Sequence, residues 1–153
     1  MDAQPGFLLL AQARTCVCAL PLSHVLETLR PLPIQPVPVA PDFILGLSVI
    51  RGEPVPVVDL GRLLGFPGDP RPTRLVMIRV QERRAALAVE TVLRIVAGES
   101  LDRRALPPLL RSAGEQAVSA VSALDHEFLT ILEAAHLVPE DVWGSLAAEG
   151  GRR

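Results

Sequence analysis

The two halves of this chain repeat each other. Residues 46–64 lie over residues 120–138 without a gap, at a constant shift of 74. Ser48 meets Ser122, Ile50 meets Leu124, Glu53 meets Glu127, Val57 meets Ile131, Val58 meets Leu132, Asp59 meets Glu133 and Leu63 meets Leu137. A second block comes earlier in each half. Ala19-Leu20 matches Ala86-Leu87 and Val25-Leu26 matches Val92-Leu93, at a shift of 67. The repeated units are short aliphatic runs, and fifteen prolines and eleven glycines interrupt the chain too often for long helices. Such punctuation suits many short strands. A duplicated strand-rich body, each half curled so that few edges stay open, is the architecture this pattern predicts.

Element by element, Phe7 to Ala13 and Thr15 to Leu20 read as a hairpin turning near Arg14. Leu22 to Leu29 fits a helical turn or a strand equally. Between Arg30 and Pro38, proline stands at nearly alternate positions, so this stretch is expected to run extended along a surface or edge, never as a central strand. Leu45 to Ile50 and Val55 to Leu60 form a second hairpin around Arg51-Gly52-Glu53-Pro54, with Gly52 taking the conformation a Cβ would resist. Leu60 to Leu64 fits one helical turn closed by Gly65. Residues 67–72 read as the linker. Beyond it, Arg74 to Val80 and Ala85 to Val96 read as strands broken near Arg83, Gly98 to Ala113 as irregular, and Ala117 to Leu124 with Phe128 to Leu132 as a last pair. Pro139 to Ala148 is expected to be a short helix, with Pro139, Glu140 and Asp141 suited to its first turn.

The fold class expected is therefore all-β, mainly β with short helices: two packed five-stranded β-barrel subdomains, one over about 7–66 and the other over about 73–138, followed by a C-terminal helix over about 139–148. At 153 residues the chain is long enough to bury a core without a staple. Net charge is −2, which offers no basic face for nucleic acid. No uncharged window of about eighteen residues spans a bilayer, so no direct membrane insertion is expected. The opening Met1-Asp2-Ala3-Gln4-Pro5-Gly6 lacks the basic stretch of an export signal. Cys16 and Cys18 are i,i+2 neighbours on one strand face, a spacing rarely compatible with a disulfide. A reduced, cytoplasmic setting follows.

Signals for catalysis are weak. His24, His126 and His136 form no metal-ligand spacing, and no Cys-x-x-Cys occurs. Gly61 to Gly68 lacks the Gly-Lys-Ser/Thr ending of a phosphate loop. Ser23, Ser48 and Ser122 lack a nucleophile elbow. No catalytic residue, cofactor or metal is expected. A groove where two barrels meet is the natural site for a partner.

One segment carries a family resemblance. Gly46-Leu-Ser-Val-Ile-Arg-Gly-Glu-Pro-Val-Pro-Val-Val-Asp-Leu60 resembles the signature of the CheW family, in which an aliphatic strand leads into Arg-Gly and then Pro-Val-Val-Asp-Leu. Ala19-Leu20-Pro21-Leu22 with Val25-Leu26-Glu27, Pro38 to Gly46, and Ala88-Val89-Glu90-Thr91-Val92 resemble its flanking and second-half segments. The likeness runs from about Phe7 to Val138. It implies a cytoplasmic, non-catalytic adaptor of two five-stranded barrels bridging the cytoplasmic tip of chemoreceptors and the regulatory domain of a CheA-type histidine kinase. By this resemblance Arg51, Glu27 and Val25 are partner-binding residues, with Val89 and Val92 lining the groove from the second barrel. Gly46, Gly52, Pro56 and Asp59 carry the motif structurally, with Asp59 expected to cap or brace the following turn. The chain departs from the family at Val49, where asparagine is usual, and carries Glu90 and Glu133 in place of second-half aspartates. These departures motivate an alternative: a divergent scaffold for a motility or developmental pathway, or one competing with a main adaptor.

Overall fold

The computed structural model describes residues 6–38, 40–98, 102–105, 118–124, 127–132, 138 and 143–144. The strands are β1 (Phe7–Ala13), β2 (Cys16–Pro21), β3 (Val25–Leu29), β4 (Ile44–Ile50), β5 (Glu53–Asp59), β6 (Arg74–Val80), β7 (Arg83–Val89), β8 (Thr91–Ala97), β9 (Asp102–Ala105), β10 (Val118–Leu124) and β11 (Glu127–Leu132). A 3-10 turn over Leu22–His24 precedes β3, and the single helical turn α1 (Leu60–Leu63) follows β5. The all-β class is what the sequence predicts. Two-residue turns centred on Arg14, Arg51 and Gln81 close three hairpins, each of these residues having φ between 52° and 59°. Gly52 takes φ 81° and Gly65 φ 89°, the left-handed conformations that glycine adopts without a Cβ penalty.

The strands form two sheets, in the order β8-β1-β2-β11-β10-β9 and β3-β6-β7-β5-β4. Neither sheet is confined to one half of the chain. The expected subdomains over 7–66 and 73–138 are thus not the units that hydrogen bond. The N-terminal hairpin β1-β2 sits in the sheet that holds β8 to β11, while β6-β7 sits with β3 to β5. The halves have exchanged hairpins. The first sheet has six strands where five were expected, because β9, read as irregular chain, pairs with β10.

The duplication is exact at the level of register. On one side Val25 pairs with Ile78, Glu27 with Met77, Thr28 with Val76 and Leu29 with Leu75. On the other Val92 pairs with Ala11, Arg94 with Leu10, Ile95 with Leu9 and Val96 with Leu8. Each residue of one set moves to its counterpart by 67. Both pairings skip one residue, Leu26 and Leu93, and both skipped leucines are 44% exposed. Likewise Ile44↔Val58 and Gly46↔Val57 become Val118↔Leu132 and Ala120↔Ile131 at a shift of 74.

Burial follows the period of two along each strand. In β6, Val76 and Ile78 enter a core shared by both sheets, while Leu75 and Met77 enter the interior of their own sheet. In β1, Leu9 and Ala11 enter the shared core, and Leu8 and Leu10 pack on the far side. Central strands are thus buried on both faces, which is why they read as continuous aliphatic runs. The stretch read as one strand from Ala85 to Val96 is broken at Glu90, a bend where the chain leaves one sheet and enters the other.

The proline-rich stretch after β3 stays extended at the surface and makes one bridge, Gln35↔Leu47, with hydrogen bonds of 2.7 and 2.8 Å to the outer side of β4. Ser48, 1% exposed, donates to the Pro33 carbonyl at 2.7 Å. Because this segment continues directly from β3, it links the two edge strands of the five-stranded sheet. Leu47 spends its backbone groups on Gln35, so its partner Pro56 also faces away from β4, and the missing N–H costs that pairing nothing. Val138 is buried in the shared core, with Trp143 packed against it. Trp143 and Gly144 are helical, and the rest of the helix expected over 139–148 lies outside the described residues.

Candidate functional site

The chain draws Arg51 and Glu27 together across the two edges of the five-stranded sheet. Arg51 is at the tip of the β4-β5 hairpin and Glu27 on edge strand β3. The guanidinium forks onto the carboxylate, with Nε donating to Oε2 and Nη2 to Oε1, both at 2.7 Å. Planar five-donor geometry makes arginine suited to this bidentate contact, which a lysine would not reproduce. The Arg51 side chain is 67% exposed and that of Glu27 28%. Within two residues of the fork in sequence lie two solvent-facing apolar side chains, Leu26 and Val49, the latter 59% exposed.

The hydrogen bond from Arg51 holds the Glu27 carboxyl below its ordinary value of 4.5. A depressed carboxylate contributes stability at neutral pH, and that contribution is lost as pH falls through the lowered folded value. Titrating Glu27 by NMR is expected to give a midpoint below 4.5 in the native protein, returning to the ordinary range in Arg51→Ala. An unchanged midpoint in that variant would show that the fork does not form in solution.

The other predicted residues divide. Val25 and Val92, duplicates of each other, are half-buried at the margin of the shared core. Val89 is fully buried inside it and so does not line an open groove. β7 is buried on both faces there, so Val89 sits in the core of the molecule. Gly46 has φ 144°, and a Cβ there would run into the Gln35 backbone. A cleft of about 400 Å3 lies against the five-stranded sheet, lined by Leu47, Pro54, Pro56, Arg84 and Trp143 among others. Neither Val25 nor Val92 borders it.

Asp59 does not cap α1, since no side-chain cap bond forms. It is 1% exposed and is held instead by Arg14, whose Nη2 donates to Oδ2 at 2.8 Å and Nη1 to Oδ1 at 3.4 Å. The same guanidinium donates to Glu90 Oε1 at 2.5 Å and to the carbonyls of Gly68 and Pro67 at 3.1 and 3.4 Å. Gly61 leaves the space it occupies, because a Cβ there would meet the guanidinium. Arg14 therefore ties the β1-β2 turn to the end of β5, to the bend between β7 and β8, and to the linker. Sequence reasoning placed Arg14 only in a turn. Its partners are 45 and 76 residues away, and no local pattern marks such a contact.

Among the described residues no group of three His, Cys, Asp or Glu could hold a metal. Nor is any described helix long and apolar enough to cross a membrane. The CheW-like domain model matches residues 7–142. The chain belongs to the CheW-like domain family. Curated relatives agree: the chemotaxis protein CheW of Rhizobium meliloti is 26% identical over 111 residues, covering 71% of this chain and 72% of that one. The CheW of Helicobacter pylori is 22% identical over 125 residues, 80% of this chain and 75% of its own. Among solved structures, the scaffolding protein TtCheW from Thermoanaerobacter tengcongensis superposes with a TM-score of 0.75 at 21% identity, over 90% of this chain and 95% of that one. That likeness bears on the fold of this CheW-like chain.

Proposed function

We propose that this chain is a non-catalytic cytoplasmic adaptor that couples the cytoplasmic tip of methyl-accepting chemoreceptors to the regulatory domain of a CheA-type histidine kinase. The reading rests on membership of the CheW-like family. The observation that carries it to a site is the Arg51–Glu27 fork, a preformed charged pair, with the exposed Leu26 and Val49 within two residues of it in sequence. A charged fork with exposed apolar side chains near it in sequence suits a docking surface: apolar contact supplies affinity and the charges set register. Leu93 and Ile95 on β8, 44% and 53% exposed, offer a second apolar edge on the other sheet. Two surfaces on one body bring two partners together, since the second contact becomes effectively intramolecular.

Pull-down with the cognate receptor tip and kinase regulatory domain tests the reading. Binding to at least one is expected, weakened roughly tenfold or more by Arg51→Glu. A folded protein that binds neither defeats it. Val49 motivates a second reading, because it puts an exposed apolar side chain where the family usually has asparagine. A scaffold for a motility or developmental pathway, or a competitor of a main adaptor, would bind one partner without supporting receptor control of the kinase in reconstituted arrays. Full kinase activation there counts against it.

A further inference from the structure

Two thiols in the molecule have no part in the adaptor reading. Cys16 and Cys18 project from the same face of β2, with the Cys18 Sγ donating to the Cys16 Sγ at 3.8 Å, and neither is in a disulfide. Cys18 is fully buried in the shared core and Cys16 half-buried at its margin. Direct oxidation of the pair is opposed by geometry. A disulfide needs Cβ atoms about 3.5–4.5 Å apart, whereas a two-residue step along a strand is roughly 6.6 Å. β2 cannot pucker to shorten that step, because it is paired to β1 on one side and β11 on the other. A single atom inserted between the two sulfurs removes the difficulty, since it lengthens the bridge while leaving the strand extended.

We propose that Cys16 and Cys18 form a dithiol site for trivalent arsenicals. With an arsenoso compound, R–As=O, both S–H bonds break and two As–S bonds form. The oxygen leaves as water carrying both protons, and arsenic remains trivalent throughout. The product is neutral, as a site reaching into an apolar core requires. The hydrogen bond to Cys16 and then burial hold the Cys18 thiol well above its ordinary range, with Glu90 adding to the effect. A thiolate-bound cation would have to carry charge into the same place, and zinc would need further ligands that the described residues do not gather. On β1 the cross-strand neighbours of Cys16 and Cys18 are the small residues Ala13 and Ala11. Entry is by way of Cys16, which adjoins the exposed Thr15 of the hairpin turn.

Phenylarsine oxide added to the folded full chain tests this. Intact-mass measurement is expected to show one phenylarsenic unit gained and two hydrogens lost. The adduct should survive excess monothiol and be removed by a dithiol. Cys16→Ala and Cys18→Ala should each abolish it, and if the buried Cys18 variant does not fold, the Cys16 variant decides alone. An adduct that forms only in denaturant overturns the proposal, as does one retained in Cys16→Ala. Rapid formation of an intramolecular disulfide in the folded protein under diamide would overturn the geometric argument behind it.

Discussion

Replacing Arg14 with alanine should lower unfolding stability by about 3–5 kcal/mol, the usual cost of removing one partner of a buried charge pair. The reason lies in what is left behind. Among the described residues, Asp59, 1% exposed, would keep only Arg62 as a charged partner, with its Nε 3.8 Å away, and Glu90 would lose its 2.5 Å partner. The carbonyls of Pro67 and Gly68 would lose their donor too. Urea denaturation followed by circular dichroism measures the change. Arg14→Gly separates side chain from backbone. Arg14 has φ 56°, so glycine relieves a strained turn while still removing the clamp. If the clamp dominates, the glycine variant is also strongly destabilised, recovering only about 1 kcal/mol relative to alanine. Arg14→Lys should rescue little, because one ammonium cannot serve two carboxylates and two carbonyls in fixed directions. An alanine variant within about 1 kcal/mol of the parent would mean that the guanidinium contacts are incidental.

Gly46→Ala should cost roughly 2–5 kcal/mol through backbone strain and broken hydrogen bonds. Its φ of 144° suits glycine, and the added methyl would collide with the Gln35 carbonyl and the Ile34 side chain. Relief of that collision pushes the proline-rich segment off β4 and breaks the paired Gln35–Leu47 hydrogen bonds. Gly52 is the control. Its φ is 81° but a Cβ there meets nothing within 4 Å, so Gly52→Ala carries only the conformational cost of about 1 kcal/mol. Equal losses at the two positions would remove the close approach from the explanation. Hydrogen exchange at the Leu47 and Gln35 amides should accelerate in Gly46→Ala and stay unchanged in Gly52→Ala.

The elements were legible where the signal is local. Alternating aliphatic residues marked β4 and β5, Gly52 marked the turn between them, and Gly65 marked the end of α1. Where the local signal is silent or continuous, reading failed. β9 is polar in its first three residues, Asp102 to Arg104, and lacks an aliphatic run. The bend at Glu90 interrupts a pattern that carries on unbroken from Ala85 to Val96. The local pattern marks Asp59 as a brace of the following turn, where Arg62 lies 3.8 Å from it, but nothing local marks its stronger partner Arg14, which belongs to a hairpin of the other sheet. Arg51 and Glu27 were each singled out by resemblance. That they grip one another follows only from the fold, which brings the β4-β5 hairpin tip to edge strand β3.

The amino-acid order alone dictated the strands, most of the turns and the doubling of the chain, since each of these is encoded within a few neighbouring residues by alternation, glycine and proline. Tertiary structure chose the partners. It sent β1-β2 to the C-terminal sheet and β6-β7 to the N-terminal one, and it gathered Arg14, Asp59 and Glu90 at one point. The two halves share the same hydrophobic pattern and the same registers, so a strand's own residues cannot tell which copy it should pair with. That choice falls to contacts between residues far apart in the chain, which exist only once both sheets have closed over their common core.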